Sequence, residues 1–362
     1  MGVCYAAAVV IERARRERSQ RMPMALTLEQ IAKLAGVSRS TVSRVVNDHS
    51  SVRTEVRERV LQVIHETGYQ PHAAARSLVT RRSQIIGVVI PEAVTTLFVD
   101  PFFPLLLAGV TETCNAHRYH LMLSLFDRPS GQEEMYQHVL GSGYLDGVIV
   151  ASFRLDEPLI SDLLEKGIPF VIVGHHPDKR VNYVDADNVG GARMAVEHLI
   201  RLGHRRIGII AGPQNMPGSQ DRLLGYHQAL DAHRVPVEPA LVAEGDFTES
   251  SGVTCTQQLL PAAPTAIFVA NDAMAVGALR ALRRAGLQVP QDVALIGYDD
   301  VPIAAAVEPA LTTVRQPIAR LGSMAAEVLI GMLNSPNGTD GPPHKVILPT
   351  ELVVRYSCGA LR

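Results

Sequence analysis

The sequence predicts an α/β protein in three parts: an all-α helix-turn-helix head followed by two doubly wound parallel α/β lobes. Three observations carry this expectation. Within residues 25–48, two short amphipathic helical patterns are separated by a break at Gly36. The first fifth of the chain is basic and the rest acidic: residues 1–82 hold 14 Lys and Arg against 7 Asp and Glu, and the remainder holds 20 against 29. From residue 84 onward, short apolar runs alternate with amphipathic stretches in two successive series, the pattern of strand–helix units around parallel sheets.

In the head, Thr27 and Gln30 stand three apart before an apolar pattern, the spacing of a capping box. Leu28, Ile31, Ala32 and Ala35 then share one face of a short helix, and Gly36 supplies the left-handed stop. Ser38 is placed to cap a second helix, whose Val42, Val45 and Val46 form its apolar face. The other face carries Arg39, Ser40, Thr41, Ser43 and Arg44. Residues 54–67 place Val56, Val60 and Ile64 four apart, a third helix that closes a small core and stops at Gly68. An ordinary helical hairpin would share this pattern. The basic balance and the Ser, Thr and Arg face instead suit a major groove, where Arg pairs bidentately with guanine and hydroxyls reach bases or phosphates. Thr27, Ser38, Arg39, Ser40, Thr41, Ser43 and Arg44 are therefore the expected DNA-contacting residues of the head.

The stretch AKLAGVSRSTVSRVVN resembles the lactose/galactose-repressor (LacI/GalR) family of bacterial transcriptional regulators. The resemblance continues through residues 69–78 and to LPTELVVRYSCG, so it covers nearly the whole chain from Met24. It implies a head over 25–70 and a hinge over 71–83 that folds against the DNA minor groove in a dimer. Pro71 and three alanines suit a short helix there, and Arg76, Arg81 and Arg82 keep it wet. Ala75, Arg76 and Leu78 complete the expected DNA contacts, Leu78 matching the family's intercalating wedge. A plain basic linker is the alternative. His72 stands where many relatives carry asparagine. Residues 1–24 resemble nothing in the family; Met22 or Met24 is the favoured start of translation, with an extra basic arm as the alternative.

In the body, residues 84–90, 120–126, 146–152 and 169–174 read as buried parallel strands, and residues 206–212, 266–271 and 292–300 continue the series after a break near NYVDADN. Residues 188–202 and 272–286 read as helices between them. This resembles the periplasmic-binding-protein type I fold, which implies three crossings between lobes, expected near residues 183, 314 and 345. Lobe 1 is then about 84–182 and 315–344, and lobe 2 about 183–314 and 345–362. Ligands of such sheets bind beyond the carboxyl ends of the strands. Phe102, Phe103, Ser219, Arg222, Phe247, Asn271 and Asp299 stand there and form the expected effector site. The resemblance marks Arg222, in R-x-x-G-Y, and Asp299, in Y-D-D, as principal contacts, with Asn271, Phe247 and Phe103 secondary. Asp272 and Asp300 are expected to cap helices. Residues 92–100 read as a loop longer than the family's usual connection. Met216 stands where purine-responsive relatives carry a basic group, which disfavours a purine.

At 362 residues with 47% hydrophobic and 19% charged, the chain has material for two or three folded domains. Cysteines 4, 114, 255 and 358 are too scattered for a zinc ribbon or disulfide framework and read as free thiols of a reducing cytoplasm. No apolar run has the length of a membrane span, and the opening residues do not form a signal peptide. The glycine-rich Gly141–Gly147 stretch precedes a strand, the wrong context for a phosphate cradle, and His175-His176 lacks an acidic or Cys partner at metal spacing and reads as a loop feature. No cofactor, metal or catalytic constellation is expected. The leading reading is a cytoplasmic homodimeric regulator, expected to be a repressor. It binds a palindromic operator in double-stranded DNA under control of a small-molecule effector, expected to be a sugar. A dimer rather than a tetramer is expected because no leucine heptad follows Cys358. The alternative, a solute-binding receptor of a sugar transporter, shares the body but has no use for residues 25–82. An enzyme would need a nucleotide fingerprint or catalytic group that is missing.

Overall fold

A computed structural model describes residues 26–46, 51–69, 82–91, 94–125, 144–151, 154–155, 158–335 and 341–361. Expected features at Ala75, Arg76, Leu78 and most of the 71–83 segment lie outside these residues, as does Cys4. The chain divides into two compact units, one ending at Ser83 and one beginning at Gln84.

The first unit contains helices α1 (Leu28–Ala35), α2 (Arg39–Val46) and α3 (Thr54–Thr67). The capping box forms: Gln30 N donates to Thr27 Oγ1 at 3.4 Å, and Thr27 N donates to Gln30 Oε1 at 2.8 Å. Gly36 takes φ 65° and ends α1, its N–H meeting the carbonyls of Ala32 and Lys33. Ser38 Oγ accepts from Thr41 N at 3.2 Å and so caps α2. Ile31, Ala32, Ala35, Val42, Val45 and Val60 are buried together with Tyr69, so three short helices that would be marginal alone share one core.

The second unit holds two six-stranded sheets. The first contains β1 (Ile85–Ile90), β2 (His120–Leu125), β3 (Gly147–Ala151), β4 (Phe170–Val173), β5 (Tyr183–Ala186) and β11 (Lys345–Leu348), in the order β11-β5-β4-β3-β1-β2. The second contains β6 (Ile207–Ala211), β7 (Val242–Glu244), β8 (Ala266–Val269), β9 (Ala294–Asp299), β10 (Thr312–Arg315) and β12 (Glu351–Val353), in the order β12-β10-β9-β8-β6-β7. Among the described strands, all pairings are parallel except that of β10 with β12. The central strands are apolar on both faces because helices cover both. The helices are α4 (Val94–Val99), α5 (Phe102–Ala116), α6 (Leu159–Glu165), α7 (Asn188–Arg201), α8 (Pro217–Ala232), α9 (Glu249–Leu259), α10 (Asp272–Arg284), α11 (Pro302–Ala306) and α12 (Ile318–Asn334).

The strands place the crossings a few residues later than the sequence suggested. Tyr183–Ala186 pairs with β4 and β11, so it belongs to the first sheet and the chain leaves that lobe after Ala186. It returns after Arg315, since β10 pairs with β9, and crosses again between Leu348 and Glu351. Residues 94–99, read as loop, form the short helix α4. Helices α5 and α12 touch at glycine: a Cβ on Gly109 would strike the Ala319 carbonyl, and one on Gly322 the Leu106 carbonyl. That contact seats α5, and with it Phe102 and Phe103 at its first turn, against lobe 1.

Candidate effector cleft and nucleic-acid interface

On the head, α2 buries Val42 and Val45 and leaves Arg39, Ser40 and Arg44 exposed. Ser38 Oγ lies 2.8 Å from both Ser40 Oγ and Thr41 Oγ1, so the hydroxyls form one cluster at the helix start. Arg39 pairs with Glu29 at 3.2 Å on the surface, a contact of small energetic weight. A helix start with clustered donors and exposed guanidinium groups is equipped for phosphate and base edges.

In the body, all seven expected effector residues line a single cavity of about 200 Å³, more than tenfold the space one water needs. At its centre is Arg222, on the second turn of α8 and buried. Its Nη1 donates to the Ala270 carbonyl at 2.5 Å and lies 3.6 Å from Asp299 Oδ1. Its Nε donates to Asn188 Oδ1 at 3.0 Å, and the guanidinium carbon sits 3.9 Å from the Tyr298 ring centre. Asp299 ends β9 and also accepts from Gln316 Nε2 at 2.6 Å. Burial pushes its carboxyl up to about 7; Arg222 opposes the rise, Asp100 adds to it and the Gln316 hydrogen bond opposes it.

Backbone strain gathers here. Phe247, Asp299 and Asp300 all have positive φ, at 67°, 108° and 56°, a conformation that L-residues hold only where their surroundings enforce it. Asn271 provides part of that enforcement: its Nδ2 donates to the Phe247 carbonyl at 3.0 Å while its Oδ1 caps α10 through Met274 N at 2.9 Å. A Cβ at Gly212 would collide with the Phe247 ring and with Ser219 Oγ, so glycine there lets both side chains reach the cleft. Among the described residues, Ser219 Oγ is buried without a hydrogen-bond partner. Phe102 and Phe103 both line the cavity, edge to face with ring centres 5.4 Å apart.

Three expectations need correction. Asp272 does not cap a helix: it accepts from Thr313 Oγ1 at 2.6 Å and Val301 N at 3.0 Å, and Asn271 is the cap. Burial, with Asp299 nearby, holds the Asp272 carboxyl well above its ordinary range. Asp300 does not cap a helix either; it pairs with Arg315 at 2.6 Å and Arg355 at 2.7 Å, tying the ends of β10 and β12 to β9. His175 is not without acidic partners: its Nδ1 lies 3.0 Å from Asp185 and 3.4 Å from Asp221. The topology brings together groups that sequence spacing kept apart.

Asp100, Arg154, Asp185, Asn188, Asp246 and Gln316 also line the cavity and were missed. Asp185 and Asn188 fall in NYVDADN, read as a break between series, although its YVDA is a strand end of the kind that carries sites. Gln316 follows β10, whose TTVR lacks a continuous apolar run. A lining of carboxylates and guanidinium groups beside phenyl faces can bracket hydroxyls by charge-assisted hydrogen bonds and stack on C–H faces.

A helix-turn-helix unit joined to a two-lobed body with a polar and aromatic cleft is the architecture of a ligand-responsive DNA-binding protein. Residues 27–72 match the model of the lacI family of bacterial regulatory proteins, and residues 196–358 match a periplasmic binding protein-like domain. The HTH-type transcriptional regulator CelR of Thermobifida fusca is 41% identical over 91% of this chain and 98% of its own length. The regulator AglR of Rhizobium meliloti is 36% identical over 93% and 95%. Among solved structures, a CelR–cellobiose complex superposes with a TM-score of 0.73 at 38% identity, covering 92% of this chain and 99% of that one. The lac repressor dimer bound to operator and the anti-inducer ONPF superposes with a TM-score of 0.80 at 31% identity, with the same coverage. The chain belongs to the LacI family of bacterial regulatory proteins and is a DNA-binding transcriptional regulator. The transporter-receptor alternative is set aside, since the family match begins in the head.

Proposed function

We propose that the protein acts in the cytoplasm as a homodimeric repressor whose operator affinity is set by a sugar bound between the two lobes. The observation that carries this reading is the buried Arg222–Asp299 pair, which lines one cavity together with Ser219, Phe102, Phe103 and Phe247. A buried hydroxyl with no partner among the described residues, a cation and a carboxylate match the donors and acceptors of vicinal hydroxyls. The aromatic rings match a pyranose face. Arg44, Arg39, Ser38, Ser40, Thr41, Ser43 and Thr27 are the head residues assigned to DNA, with Ala75, Arg76 and Leu78 of the hinge. No helix among the described residues is long and apolar enough to cross a membrane.

The test is a thermal-shift panel of mono- and disaccharides, beginning with cellobiose, the ligand in the CelR complex. A ligand selective for the native state raises the midpoint. At least one sugar is expected to do so and to change retention of operator DNA in the same preparation. A response confined to purines or amino acids would overturn the sugar reading.

A further inference from the structure

His175 follows β4 in the loop that leads to β5, Asp185 lies in β5 of the same lobe, and Asp221 sits on α8 of lobe 2. His175 Nδ1 faces both carboxylates, 3.0 Å from Asp185 Oδ2 and 3.4 Å from Asp221 Oδ2, and the three ligand-capable atoms lie within 4.8 Å of one another. Neighbouring ligand atoms about 2.1 Å from one tetrahedral ion stand about 3.4 Å apart, and the two separations from His175 Nδ1 are near that spacing. The Asp185 carboxylate is already oriented: its Oδ1 accepts from Ala186 N at 2.7 Å and Asn188 Nδ2 at 3.0 Å, which leaves Oδ2 directed at the histidine. That is the supporting arrangement metal-bound carboxylates ordinarily have.

We propose that His175, Asp185 and Asp221 form a site for a borderline divalent cation of the zinc class, bridging the two lobes at the rim of the effector cleft. One imidazole and two carboxylates suit a first-row cation better than Mg²⁺, which prefers oxygen ligands and retained water. Two anionic carboxylates and one neutral imidazole around a dication leave the centre uncharged, and any proton on Nδ1 leaves for solvent as the ion enters. Hydrogen bonding to Asp185 raises the affinity of His175 for that proton, so protons compete with the ion more strongly as pH falls. The site also reaches the cleft through bonds already described: Asp185 holds Asn188, Asn188 accepts from Arg222, and Asp221 precedes Arg222 on α8. An ion there would fix the effector-facing turn of α8 to lobe 1.

The proposal stands independently of the effector's identity. Full-length protein, stripped with chelator, is titrated with Zn²⁺ alone in competition with a chromophoric chelator, with Mg²⁺ as the control. His175→Ala and Asp221→Asn are titrated alongside, with circular dichroism and DNA binding confirming that they fold. The expected result is one high-affinity Zn²⁺ per chain, a zinc-dependent rise in thermal midpoint, and a loss of affinity of roughly 100-fold or more in each variant. No saturable Zn²⁺ binding, or binding that both variants retain, would overturn the site. Loss in His175→Ala but not in Asp221→Asn would overturn the bridge between lobes. A midpoint that depends on pH through His175 but is insensitive to Zn²⁺ would identify the cluster as a protonated histidine clasping two carboxylates, which also overturns the proposal.

Discussion

Arg222 and Asp299 meet in the body with little water near either, and the roles of both follow from that. A buried guanidinium that has satisfied Asn188 and Ala270 keeps donors for a ligand only because Asp299, 3.6 Å away, does not fully engage it. Arg222→Ala and Asp299→Ala are expected to leave operator affinity within a few-fold of wild type while abolishing the effector response. Operator titrations with and without a responding sugar check this, and loss of DNA binding by a folded variant would contradict it. The Asp299 carboxyl, raised to about 7 by burial, adds a pH dependence. Between its ordinary range near 4 and about 7 the folded protein holds a proton that the unfolded chain lacks. The stability this contributes is present at low pH and lost as pH rises through about 7. Sugar hydroxyls need the charged acceptor, so effector affinity should move the opposite way, falling by up to about tenfold per unit as pH drops below 7. Asp299→Asn should flatten that profile; an unchanged slope in titrations from pH 8 to 5.5 would refute it. Arg222 and Asp299 were legible because each ends or follows a strongly apolar strand. Asn188 and Gln316 were not, because the strands before them, YVDA and TTVR, are short and carry polar residues.

The same division holds for whole elements. Helices α1, α2 and α3 announced themselves through capping residues, glycine stops and a 3.6-residue apolar period, and the central strands through runs buried on both faces. The edge strands β7, β11 and β12 are three or four residues long and partly exposed, so their apolar runs are too short to set their bounds; a strand is expected after the turn-rich 335–344 loop, and pairing with a neighbour defines where each begins and ends. The recognition element allows a sharper test against the hinge. Arg44 projects from α2 into solvent, and Arg44→Ala should cost about 1–3 kcal/mol in operator binding and relax base preference at one position per half-site. Leu78→Ala should weaken operator binding strongly and reduce bending while leaving binding to random DNA, which counts phosphate contacts, nearly unchanged. Titrations of both variants on operator and random DNA at two salt concentrations separate the roles. Equal losses on both DNAs for Leu78→Ala would reduce residues 71–83 to a linker.

For the whole molecule, the basic head and acidic body impose a division of labour. The first 82 residues carry 14 Lys and Arg against 7 Asp and Glu, so the head is drawn to phosphate while the body, at 20 against 29, is repelled by it. One head of three short helices offers a single recognition helix, hence a single half-site, and specific affinity for one half-site is modest. Joining two heads through their bodies makes the second contact intramolecular, multiplying affinity without any new contact. A two-fold dimer then requires a palindrome whose half-sites present on the same face of the duplex, about one helical turn of 10–10.5 bp apart. Sedimentation velocity with labelled operator should show two chains per duplex. Inserting about 5 bp between the half-sites turns one to the far face and should reduce affinity toward that of a single half-site. Inserting a further 5 bp should restore the facing and part of the affinity. One chain per operator, four chains bound, or indifference to the first insertion would each contradict a symmetric dimer holding both heads in fixed register.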